Sequence, residues 1–342
     1  MNPKELLTSS YEFTLPEELI ATYPASPRDS AKLLVYDRAT NTITHTVFRE
    51  LENFIPKNSA LIFNDTKVIK ARIFGNKPSG GKIELLINRP IDAHHVNVYI
   101  RGKVKLGSEI IFDASLVAKV VEIYEDGSRL VSFFQHAKPL RFEELLPIID
   151  KIGHIPLPPY IQRADEAEDA TEYQSVFARN EGAVAAPTAS LHFTPEQHKR
   201  ITEQFQNAYI TLHVGSGTFK PVESEIITEH PMHSEYYDIP HKAQELLESD
   251  ISLLCVGTTA TRTVEFFARH RHITKGEANL FLHPQNKPMR TNHLLTNFHL
   301  PKSTLLMLVA SFAGLEKTLE LYQEAIQKDY RFYSYGDAML IL

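Results

Sequence analysis

Alternation of apolar and polar residues without any helical pattern, over residues 68–134, constrains the fold of this chain more than any other feature. The segments VIKARIFG, KIELLI, HVNVYIRG, SEIIF, LVAKVVEIY and RLVSFF alternate as half-buried strands do. The last two flank EDGS, residues 125–128, where Gly127 relieves the strain of a tight hairpin turn. About six short strands without intervening helices predict a small antiparallel β-barrel.

The sequence on both sides of this block mixes helix and strand patterns. Short apolar runs predict buried strands at residues 31–36, 60–64, 209–214 and 251–256. Capping signals and periodicity predict helices at residues 195–206, 241–247 and 315–328, and a helix start at 15–20. A chain of 342 residues is longer than one hydrophobic core usually organises. We therefore predict a discontinuous mixed α/β domain, residues 1–66 and 148–342, with residues 67–147 inserted as the barrel domain.

Composition indicates the class of protein and the cellular compartment in which it acts. A content of 43% apolar and 23% charged residues is typical of a soluble globular chain. The single cysteine, Cys255, excludes an intramolecular disulfide and favours a reducing compartment. The first residues contain no apolar signal region, and the run at residues 305–315 is shorter than the ~20 residues of a membrane span. We expect a cytoplasmic protein; its net charge of −6 requires any nucleic acid to be bound by a local patch.

Two glycine-containing segments resemble nucleotide-binding turns but lack essential parts of them. GNKPSGGK, residues 75–82, is followed by a predicted strand and lacks the Ser or Thr of a P-loop, so it predicts a hairpin loop. HVGSGTFKPV, residues 213–222, follows a strand but has no third glycine and no helix start. Its Gly215 and Gly217 instead predict a loop that a ligand approaches closely.

A better candidate for anion binding is LLCVGTTATRTVEFF, residues 253–267. It predicts a strand, a turn and a helix whose first residues include Thr258, Thr259 and Arg262. The free N–H groups of a helix N-terminus suit a carboxylate or phosphate. Threonine capping with an exposed arginine is an equally good interpretation of the same residues.

Three further segments concentrate polar side chains next to small or apolar ones. EHPMHSEYY, residues 229–237, offers His230, His233 and Glu235 for metal binding or, as we favour, for hydrogen bonding or proton transfer. GAVAAPTASLHFT, residues 182–194, permits close packing around a ligand beside His192, or around that histidine alone. TNFHLPKSTLLMLV, residues 296–309, places polar groups ahead of a buried helix, where they either cap it or bind an anion.

Together these segments resemble one family along nearly the whole chain, the S-adenosylmethionine:tRNA ribosyltransferase-isomerases of queuosine biosynthesis. The matching segments are PRDSAKLLV, FNDTKVIKARIFG, GGKIELL, GHIPLPPYI, EYQSVFA, GAVAAPTASLHFT, HVGSGTFKPV, MHSEYY, VGTTATRT, TNFHLPKSTLLMLV and YRFYSYGDAMLI. The chain departs from the family's usual residues at Ser190, Ser216 and Ala260-Thr261. The resemblance implies an α/β domain with an inserted β-barrel, in agreement with the strand pattern.

The resemblance also implies an activity. Such enzymes transfer and isomerise the ribosyl group of S-adenosylmethionine onto 7-aminomethyl-7-deazaguanine at the wobble position of tRNA. The products are epoxyqueuosine-tRNA, adenine and methionine, so S-adenosylmethionine is a consumed co-substrate and no resident cofactor or metal is expected. The substrates are then tRNA and S-adenosylmethionine, acted on by an enzyme that we expect to be a monomer.

The motifs supply candidate residues for this chemistry without assigning the individual steps. The acid-base candidates are Glu235, His233, His192, His299 and Asp65, with Glu235 or His233 favoured near the reacting ribose. The substrate-binding candidates are Asn64, Thr188, His213, Gly215, Gly217, Thr258, Thr259, Arg262, Asn297 and Lys302. We expect Asn297, His299 and Lys302 to line a helix mouth that receives a carboxylate or phosphate.

Basic and aromatic residues are candidates for binding the tRNA. Lys67, Lys70, Arg72 and Lys82 form one basic set, and Arg101, Lys103 and Lys105 form a second on another predicted strand. Tyr160, Phe193 and Tyr237 are candidates for stacking on the base. A solvated barrel surface is the alternative interpretation of the charges.

Two other functions are compatible with parts of the sequence. An S-adenosylmethionine-dependent RNA methyltransferase would leave S-adenosylhomocysteine, but the incomplete glycine turn disfavours it. A non-catalytic RNA-binding barrel would not need the elaborate α/β segment with its loops rich in histidine and threonine.

Overall fold

The computed structural model describes residues 3–215, 217, 221–270 and 273–342. Ser216, where the chain departs from the family pattern, lies outside these ranges. The larger domain contains strands β1 (Lys32–Asp37), β2 (Thr42–Val47), β3 (Ser59–Asn64), β4 (Thr66–Val68), β12 (Asn180–Ala183), β13 (Gln206–Leu212), β14 (Glu235–Asp238), β15 (Ser252–Val256), β16 (Lys275–Ala278), β17 (His293–Asn297) and β18 (Ala338–Ile341). The smaller contains β5 (Arg72–Asn76), β6 (Lys82–Pro90), β7 (His95–Arg101), β8 (Glu109–Ile111), β9 (Leu116–Ile123), β10 (Arg129–Gln135) and β11 (Lys138–Pro139).

Seven α-helices are described. They are α1 (Phe142–Ile152), α2 (Asp169–Glu172), α3 (Pro195–Gln204), α4 (His241–Glu248), α5 (Thr258–Arg269), α6 (Thr304–Ala313) and α7 (Leu315–Gln327). None of the helices in the described ranges is long and apolar enough to cross a membrane.

The larger sheet is mixed, with strand order β16-β14-β13-β3-β15-β17-β18-β1-β2. At its centre β13, β3, β15 and β17 run parallel, and antiparallel pairs extend the sheet at both edges. The six residues of β3 are all buried, because helices and loops cover both faces of a parallel sheet. The carboxyl ends of these parallel strands meet at one edge, where ligands bind in open α/β sheets.

The smaller sheet closes on itself. Its order is β11-β10-β7-β6-β5-β8-β9, and an additional pairing of β9 with β10 completes a six-stranded ring. Inward side chains from successive strands form its core, as Ile73, Leu85 and Val98 do at complete burial. The predicted fold class, a mixed α/β domain with an inserted antiparallel barrel, is confirmed. The exact domain boundaries at residues 67 and 147 stay a prediction.

Most of the predicted elements occur close to their predicted positions. The cap of α3 forms as expected, because the Thr194 hydroxyl accepts from the Gln197 N–H at 3.1 Å. GNKPSGGK forms a hairpin loop, closed by Lys77 N–H donating to Gly81 O at 2.8 Å. The expected helix start at residues 15–20 is wrong: only a single 3₁₀ turn, Glu17–Leu19, forms between extended residues.

The acidic segment at residues 165–172 is mostly exposed or partly exposed but contains one buried carboxylate. Asp169 is buried, and its carboxylate accepts two hydrogen bonds from Arg163, at 2.6 and 2.8 Å, and one from the Tyr335 hydroxyl at 2.8 Å. A buried carboxylate requires such partners to offset the loss of its hydration.

A second buried carboxylate ties α5 to the segment before β17. Glu265 is fully buried and accepts hydrogen bonds from the backbone N–H groups of Met289, Arg290 and Thr291 at 2.7, 2.9 and 2.7 Å. It also forms an ion pair with Arg269 at 2.6 Å. The carboxylate thus accepts hydrogen bonds from three backbone N–H groups that precede β17 and lie outside the strand.

We expect Glu265→Ala to lower the free energy of unfolding by about 3–5 kcal/mol, because it leaves several buried donors without an acceptor. Glu203→Ala, which removes an exposed carboxylate from α3, is the control and should cost no more than about 0.5 kcal/mol. Urea unfolding followed by far-UV circular dichroism measures both. Equal midpoints for the two variants would contradict the assigned role of Glu265.

Candidate active site

The side-chain amide of Asn64 organises the carboxyl end of β3. Its oxygen accepts from the backbone N–H groups of Leu212 and Thr66, at 3.0 and 3.2 Å. Its nitrogen donates to Leu212 O at 3.0 Å and to the Thr259 hydroxyl at 3.1 Å. All four hydrogen-bonding positions of the amide are therefore used, which joins β3 to β13, to β4 and to the start of α5.

The neighbouring Asp65 also has a structural role. Its carboxylate accepts from the Thr211 hydroxyl at 2.7 Å and from the Asn180 amide at 3.0 Å. It lies outside the walls of both cavities described below. The structure therefore does not place this catalytic candidate where it could contact a ligand.

An inner cavity lies against the strand ends. Its walls come from residues 185–189, residues 257–259 at the start of α5, and residues 298–300 before α6, together with Tyr160, Val214, Thr296, Ser303, Leu305, Tyr333 and Ser334. None of these side chains is an Asp, Glu, Lys or Arg. The cavity is therefore bounded by hydroxyls, aromatic rings and small residues, as pockets for neutral ligands commonly are.

The start of α5 lines this cavity; the alternative of threonine capping with an exposed arginine does not hold, because no described side chain caps the helix and Arg262 is buried. Gly257 has φ of 94°, a conformation that favours glycine, and it turns the chain from β15 into the helix. Thr258 and Thr259 line the cavity, and Thr188 lines it from the segment at residues 185–189. Unpaired N–H groups of the first turn give this wall a favourable potential for electronegative atoms.

The helix mouth at α6 differs from the expectation. Ser303 caps α6 by accepting from the Leu306 N–H at 3.1 Å, so the capping interpretation is correct. Asn297 is occupied with the carbonyls of Tyr333 and Ser334, and Lys302 forms an ion pair with Glu12. Of the three expected residues only His299 lines the inner cavity.

His299 is held as a neutral imidazole. Burial lowers its pKa to about 3, and its Nε2 lies 2.8 Å from the Thr296 hydroxyl. A neutral, oriented imidazole can donate or accept one hydrogen bond but cannot supply a permanent positive charge. Of the helix mouth expected to receive a carboxylate or phosphate, the inner cavity thus retains a neutral imidazole and no cation from Lys302.

An interdomain cleft, larger than the inner cavity, opens between the barrel and the main sheet. The barrel contributes Asn88, Arg89, Pro90, Asn97, Tyr99 and Asp126, and α1 contributes Phe142. The main domain contributes Glu181, Gly182, His213, Gly215, Gly217, His233, Ser234, Glu235, Tyr236 and Glu277. Five of the predicted site residues thus meet here: His213, Gly215, Gly217, His233 and Glu235.

Glu235 and Arg262 form a buried ion pair at the wall of this cleft. A second oxygen of Glu235 accepts from the Gly215 N–H at 3.0 Å. Burial lowers the pKa of Arg262 to about 10, which leaves the guanidinium charged at neutral pH. The carboxylate is therefore fixed in position, and Arg262 acts on a ligand through Glu235 and not as an exposed anion-binding group.

His213 lies in the same cleft with defined neighbours on three sides. Its Nδ1 is 2.7 Å from the Thr66 hydroxyl, and its ring stacks on Tyr236 with centroids 5.5 Å apart. A Cβ added to Gly182 would lie 2.7 Å from Nε2, so this glycine leaves room for the ring. Burial lowers the pKa of His213 to about 4, which makes it a neutral base at physiological pH.

His192 does not belong to either cavity. It is buried, its Nε2–H donates to Asn297 Oδ1 at 3.0 Å, and its ring lies 4.9 Å from that of Phe48. Burial lowers its pKa to about 4. The interpretation of His192 as a structural histidine is therefore the better one.

The four tRNA-binding candidates do not form one continuous patch. Lys67 pairs with Glu181 at 2.8 Å beside the cleft, and Lys70 pairs with Asp150 at 3.3 Å. Arg72 and Lys82 lie on the adjacent barrel strands β5 and β6. In the second basic set, β7 ends at Arg101, so Lys103 and Lys105 lie beyond the strand and do not continue its face.

Two of the three stacking candidates are wrong for a simple reason. Phe193 and Tyr237 are fully buried in the core, where no base can reach them. Tyr160 lines the inner cavity and stays a candidate. No group of three or more His, Cys, Asp or Glu side chains that could hold a metal occurs in the part of the chain that the structure describes.

Sequence reasoning missed Thr66, Gly182 and Tyr236 as neighbours of His213. Each lies within a segment that carries the family resemblance, but its residue type gives no indication that it contacts His213. Gly182 was interpreted only as the start of a small-residue run, and Thr66 had no charge or ring to mark it. A glycine that must admit an aromatic ring from another strand leaves no local pattern.

Burial of neutral histidines makes stability depend on pH. Between pH 6.5 and 4 the unfolded chain binds protons at His192 while the folded chain does not, so the free energy of unfolding falls as the pH falls. We expect His192→Gln to reduce this slope near pH 5 by up to about 1.4 kcal/mol per pH unit. Urea unfolding at several pH values measures the slope.

The control for this prediction is His241→Gln, at a side chain that is 84% exposed on α4. Because that side chain lies at the surface and outside the core, we expect its replacement to leave the slope as in the parent chain. An unchanged slope for His192→Gln would contradict the assigned neutral state of His192.

Comparison with known proteins gives the same family as the sequence motifs. A family described as "Queuosine biosynthesis protein" matches residues 8–341. A curated protein of Sulfurimonas denitrificans is 71% identical over 342 residues, covering 100% of both chains, and one of Nitratiruptor is 60% identical over 337 residues, covering 98% of this chain and 99% of its own. Both are named S-adenosylmethionine:tRNA ribosyltransferase-isomerase.

A solved structure agrees with this. The crystal structure of an S-adenosylmethionine tRNA ribosyltransferase from Thermotoga maritima is 33% identical, covers 97% of this chain and 100% of its own, and superposes with a TM-score of 0.54. The predicted resemblance is confirmed, and the methyltransferase alternative receives no support. The chain belongs to the queuosine biosynthesis family, whose relatives compared above carry the name S-adenosylmethionine:tRNA ribosyltransferase-isomerase.

Proposed function

We propose that this protein transfers and isomerises the ribosyl group of S-adenosylmethionine onto 7-aminomethyl-7-deazaguanine at the wobble position of tRNA. The products are epoxyqueuosine-tRNA, adenine and methionine. S-adenosylmethionine is consumed as a co-substrate, and no resident cofactor takes part. The proposal rests on one geometric observation above all: two cavities of different character share the walls at the carboxyl end of β13.

The shared walls are two short segments. Residues 182–189 line the interdomain cleft at Gly182 and the inner cavity from Ala185 onward. Residues 213–215 line the cleft at His213 and Gly215 and the inner cavity at Val214. A reaction that joins two substrates needs such adjoining sites, because the reacting atoms must be held close together.

The inner cavity suits the adenosine part of S-adenosylmethionine. None of the described residues in its walls carries a charged side chain at neutral pH, and hydroxyls of Thr188, Thr258 and Thr259 can bond the heteroatoms of a nucleoside. The aromatic rings of Tyr160 and Tyr333, with centroids 4.1 Å apart, add an apolar surface of the kind on which a base packs. The family's other substrate, a modified base, then enters from the cleft.

The interdomain cleft suits the charged and reacting parts. The carboxylate of Glu235 faces a ligand that carries a positive sulfonium or an ammonium group, and its pairing with Arg262 keeps it oriented. Asn88, Asn97 and Asp126 from the barrel offer donors and acceptors of the kind that read a purine-like edge. Each substrate therefore meets side chains of complementary chemistry.

His213 is our candidate for the base that removes the C5′ proton. The adjacent sulfonium acidifies that carbon, so a neutral imidazole held in place is sufficient. If the Nδ1–H of His213 donates to the Thr66 hydroxyl, the lone pair of Nε2 accepts the proton, and the C5′ carbon keeps the electron pair of the broken bond. The imidazolium can later return the proton to the departing adenine.

The remaining expectations concern the state of the protein. We propose that it acts in the cytoplasm as a monomer. The lone cysteine, Cys255, is buried and takes no part in a disulfide, which suits a reducing compartment. A consumed co-substrate supplied by metabolism and a tRNA partner agree with that location.

The activity is tested by incubating the protein with S-adenosylmethionine and tRNA that bears 7-aminomethyl-7-deazaguanine. Mass spectrometry should detect adenine and methionine in equal amounts, with a matching gain of mass on the tRNA. Formation of S-adenosylhomocysteine would contradict the proposal and indicate methyl transfer. Unmodified tRNA serves as the control and should release neither product.

The role of His213 is tested through its positioning residue. Thr66→Val removes the hydroxyl while keeping the shape, and we expect kcat to fall about tenfold or more with little change in KM for S-adenosylmethionine. Thr66→Ser keeps the hydroxyl and should retain most of the activity. Equal kcat for Thr66→Val and the parent enzyme, with both folded by circular dichroism, would rule out this role.

A further inference from the structure

The outer face of three adjacent barrel strands carries an unusual combination of side chains. We define this barrel strip by Arg72 and Phe74 on β5, Lys82 and Glu84 on β6, and Tyr99 and Arg101 on β7. Strand register sets Phe74 opposite Glu84 and Glu84 opposite Arg101, so these three form one row across the sheet. Residues 72, 86 and 99 form the next row.

The barrel strip is positively charged in a chain whose net charge is −6. Its one carboxylate, Glu84, lies between two arginines, 3.3 Å from Arg72 and 3.8 Å from Arg101. Arg101 is 89% exposed at its side chain, and Lys82 is also exposed. Local positive charge of this kind attracts a polyanion even when the whole protein is acidic.

Phe74 is the feature that a solvated charged surface does not explain. It is 52% exposed, although a phenyl ring gains free energy from burial. The ring of His154 packs edge-on against it, with centroids 5.1 Å apart and planes at 72°. An exposed aromatic ring held by a neighbour and flanked by cations is the arrangement on which unpaired bases stack.

The barrel strip is continuous with the interdomain cleft. Tyr99 belongs to both, since it lines the cleft and pairs with Leu86 in the row next to Phe74. Two residues along a strand and two strands across separate Tyr99 from Phe74, a distance of about 12 Å. A nucleic acid whose modified base occupies the cleft would therefore extend directly over the strip.

We propose that the barrel strip docks the anticodon arm of the tRNA substrate. Phe74 stacks on an unpaired base near the modified one, and Arg72, Lys82 and Arg101 contact phosphates. This inference rests on the proposed function and deepens it by assigning the surface that holds the RNA. It also replaces the buried Phe193 and Tyr237 as stacking groups.

Another exposed apolar residue on the barrel provides a matched comparison. Ile111 on β8 is 47% exposed, close to the value for Phe74, but it lies one strand beyond the strip. The cross-strand pair next to it, Glu109 with Lys119, has no surplus of positive charge. Apolar exposure alone therefore occurs elsewhere, and the combination with cations and a packed aromatic ring distinguishes the strip.

The first experiment measures binding of tRNA that bears 7-aminomethyl-7-deazaguanine, by fluorescence anisotropy at fixed salt. We expect Phe74→Ala to raise Kd about tenfold and Phe74→Trp to restore binding, because stacking on one base accounts for a change of that size. Ile111→Ala should bind as the parent protein does.

The second experiment tests the phosphate contacts through salt. We expect Arg101→Gln to reduce the slope of log Kd against log salt by about one, whereas Phe74→Ala should leave the slope unchanged. Lys119→Gln, which removes an exposed lysine from β9, is the control and should alter neither Kd nor slope. Urea unfolding confirms that each variant is folded.

The outcomes separate this inference from the proposed function. Release of adenine and methionine by the parent enzyme, with Phe74→Ala binding tRNA as tightly as Ile111→Ala, would overturn the strip and leave the function standing. Loss of binding in Phe74→Ala, with no release of adenine by the parent enzyme, would support an RNA-binding strip and reject the reaction. Absence of tRNA binding by the parent protein would overturn both.

Discussion

The buried amide of Asn64 is the interaction on which the site depends. It uses both lone pairs and both N–H groups at the point where β3 ends and four pieces of backbone converge. Replacement by an apolar side chain would leave the N–H and C=O of Leu212 without partners in a buried region, where each costs about 1–3 kcal/mol. The same amide brings Thr66 toward His213 and holds Thr259 at the inner cavity, so one residue couples sheet geometry to both cavities.

Burial gives the two cavities their different chemistry. In the inner cavity, desolvation keeps His299 neutral, and the described walls offer polar groups without charge: the imidazole, hydroxyls and the start of α5. In the cleft the ion pair of Glu235 with Arg262 retains charge, since each partner offsets the desolvation of the other. A neutral nucleoside and a cationic group therefore prefer different sides of the wall formed by Val214, and this preference orients a substrate that contains both.

The sequence predicts those features of the fold and site whose residues lie close together in the chain, and misses those that depend on contacts between distant segments. Strand alternation, the Thr194 cap and the glycine turn before α5 act within a few residues, and these predictions are confirmed. Lys302 pairs with Glu12, and Asn297 accepts from His192; both partners lie far away in sequence. Two of the three residues expected at the helix mouth are therefore engaged in contacts that a local pattern does not reveal. The same holds for Thr66 and Gly182, because their role depends on contacts with the ring of His213, which lies on another strand end.

The strand pair at which the chain leaves the main domain explains why a barrel can serve this site. β4 leads out toward the barrel and pairs in parallel with β12, a main-domain strand that follows α1 and α2 in the chain. Asp65 and Asn180 are hydrogen-bonded to each other across this junction, and Thr211 joins them to β13. Thr66, which orients His213, therefore lies at the connection into the barrel, and Gly182, which makes room for its ring, lies on the strand paired with it. Because β4 leads directly to the first barrel strand β5, the pairing of β4 with β12 fixes the neighbours of His213 at the point where the barrel is attached.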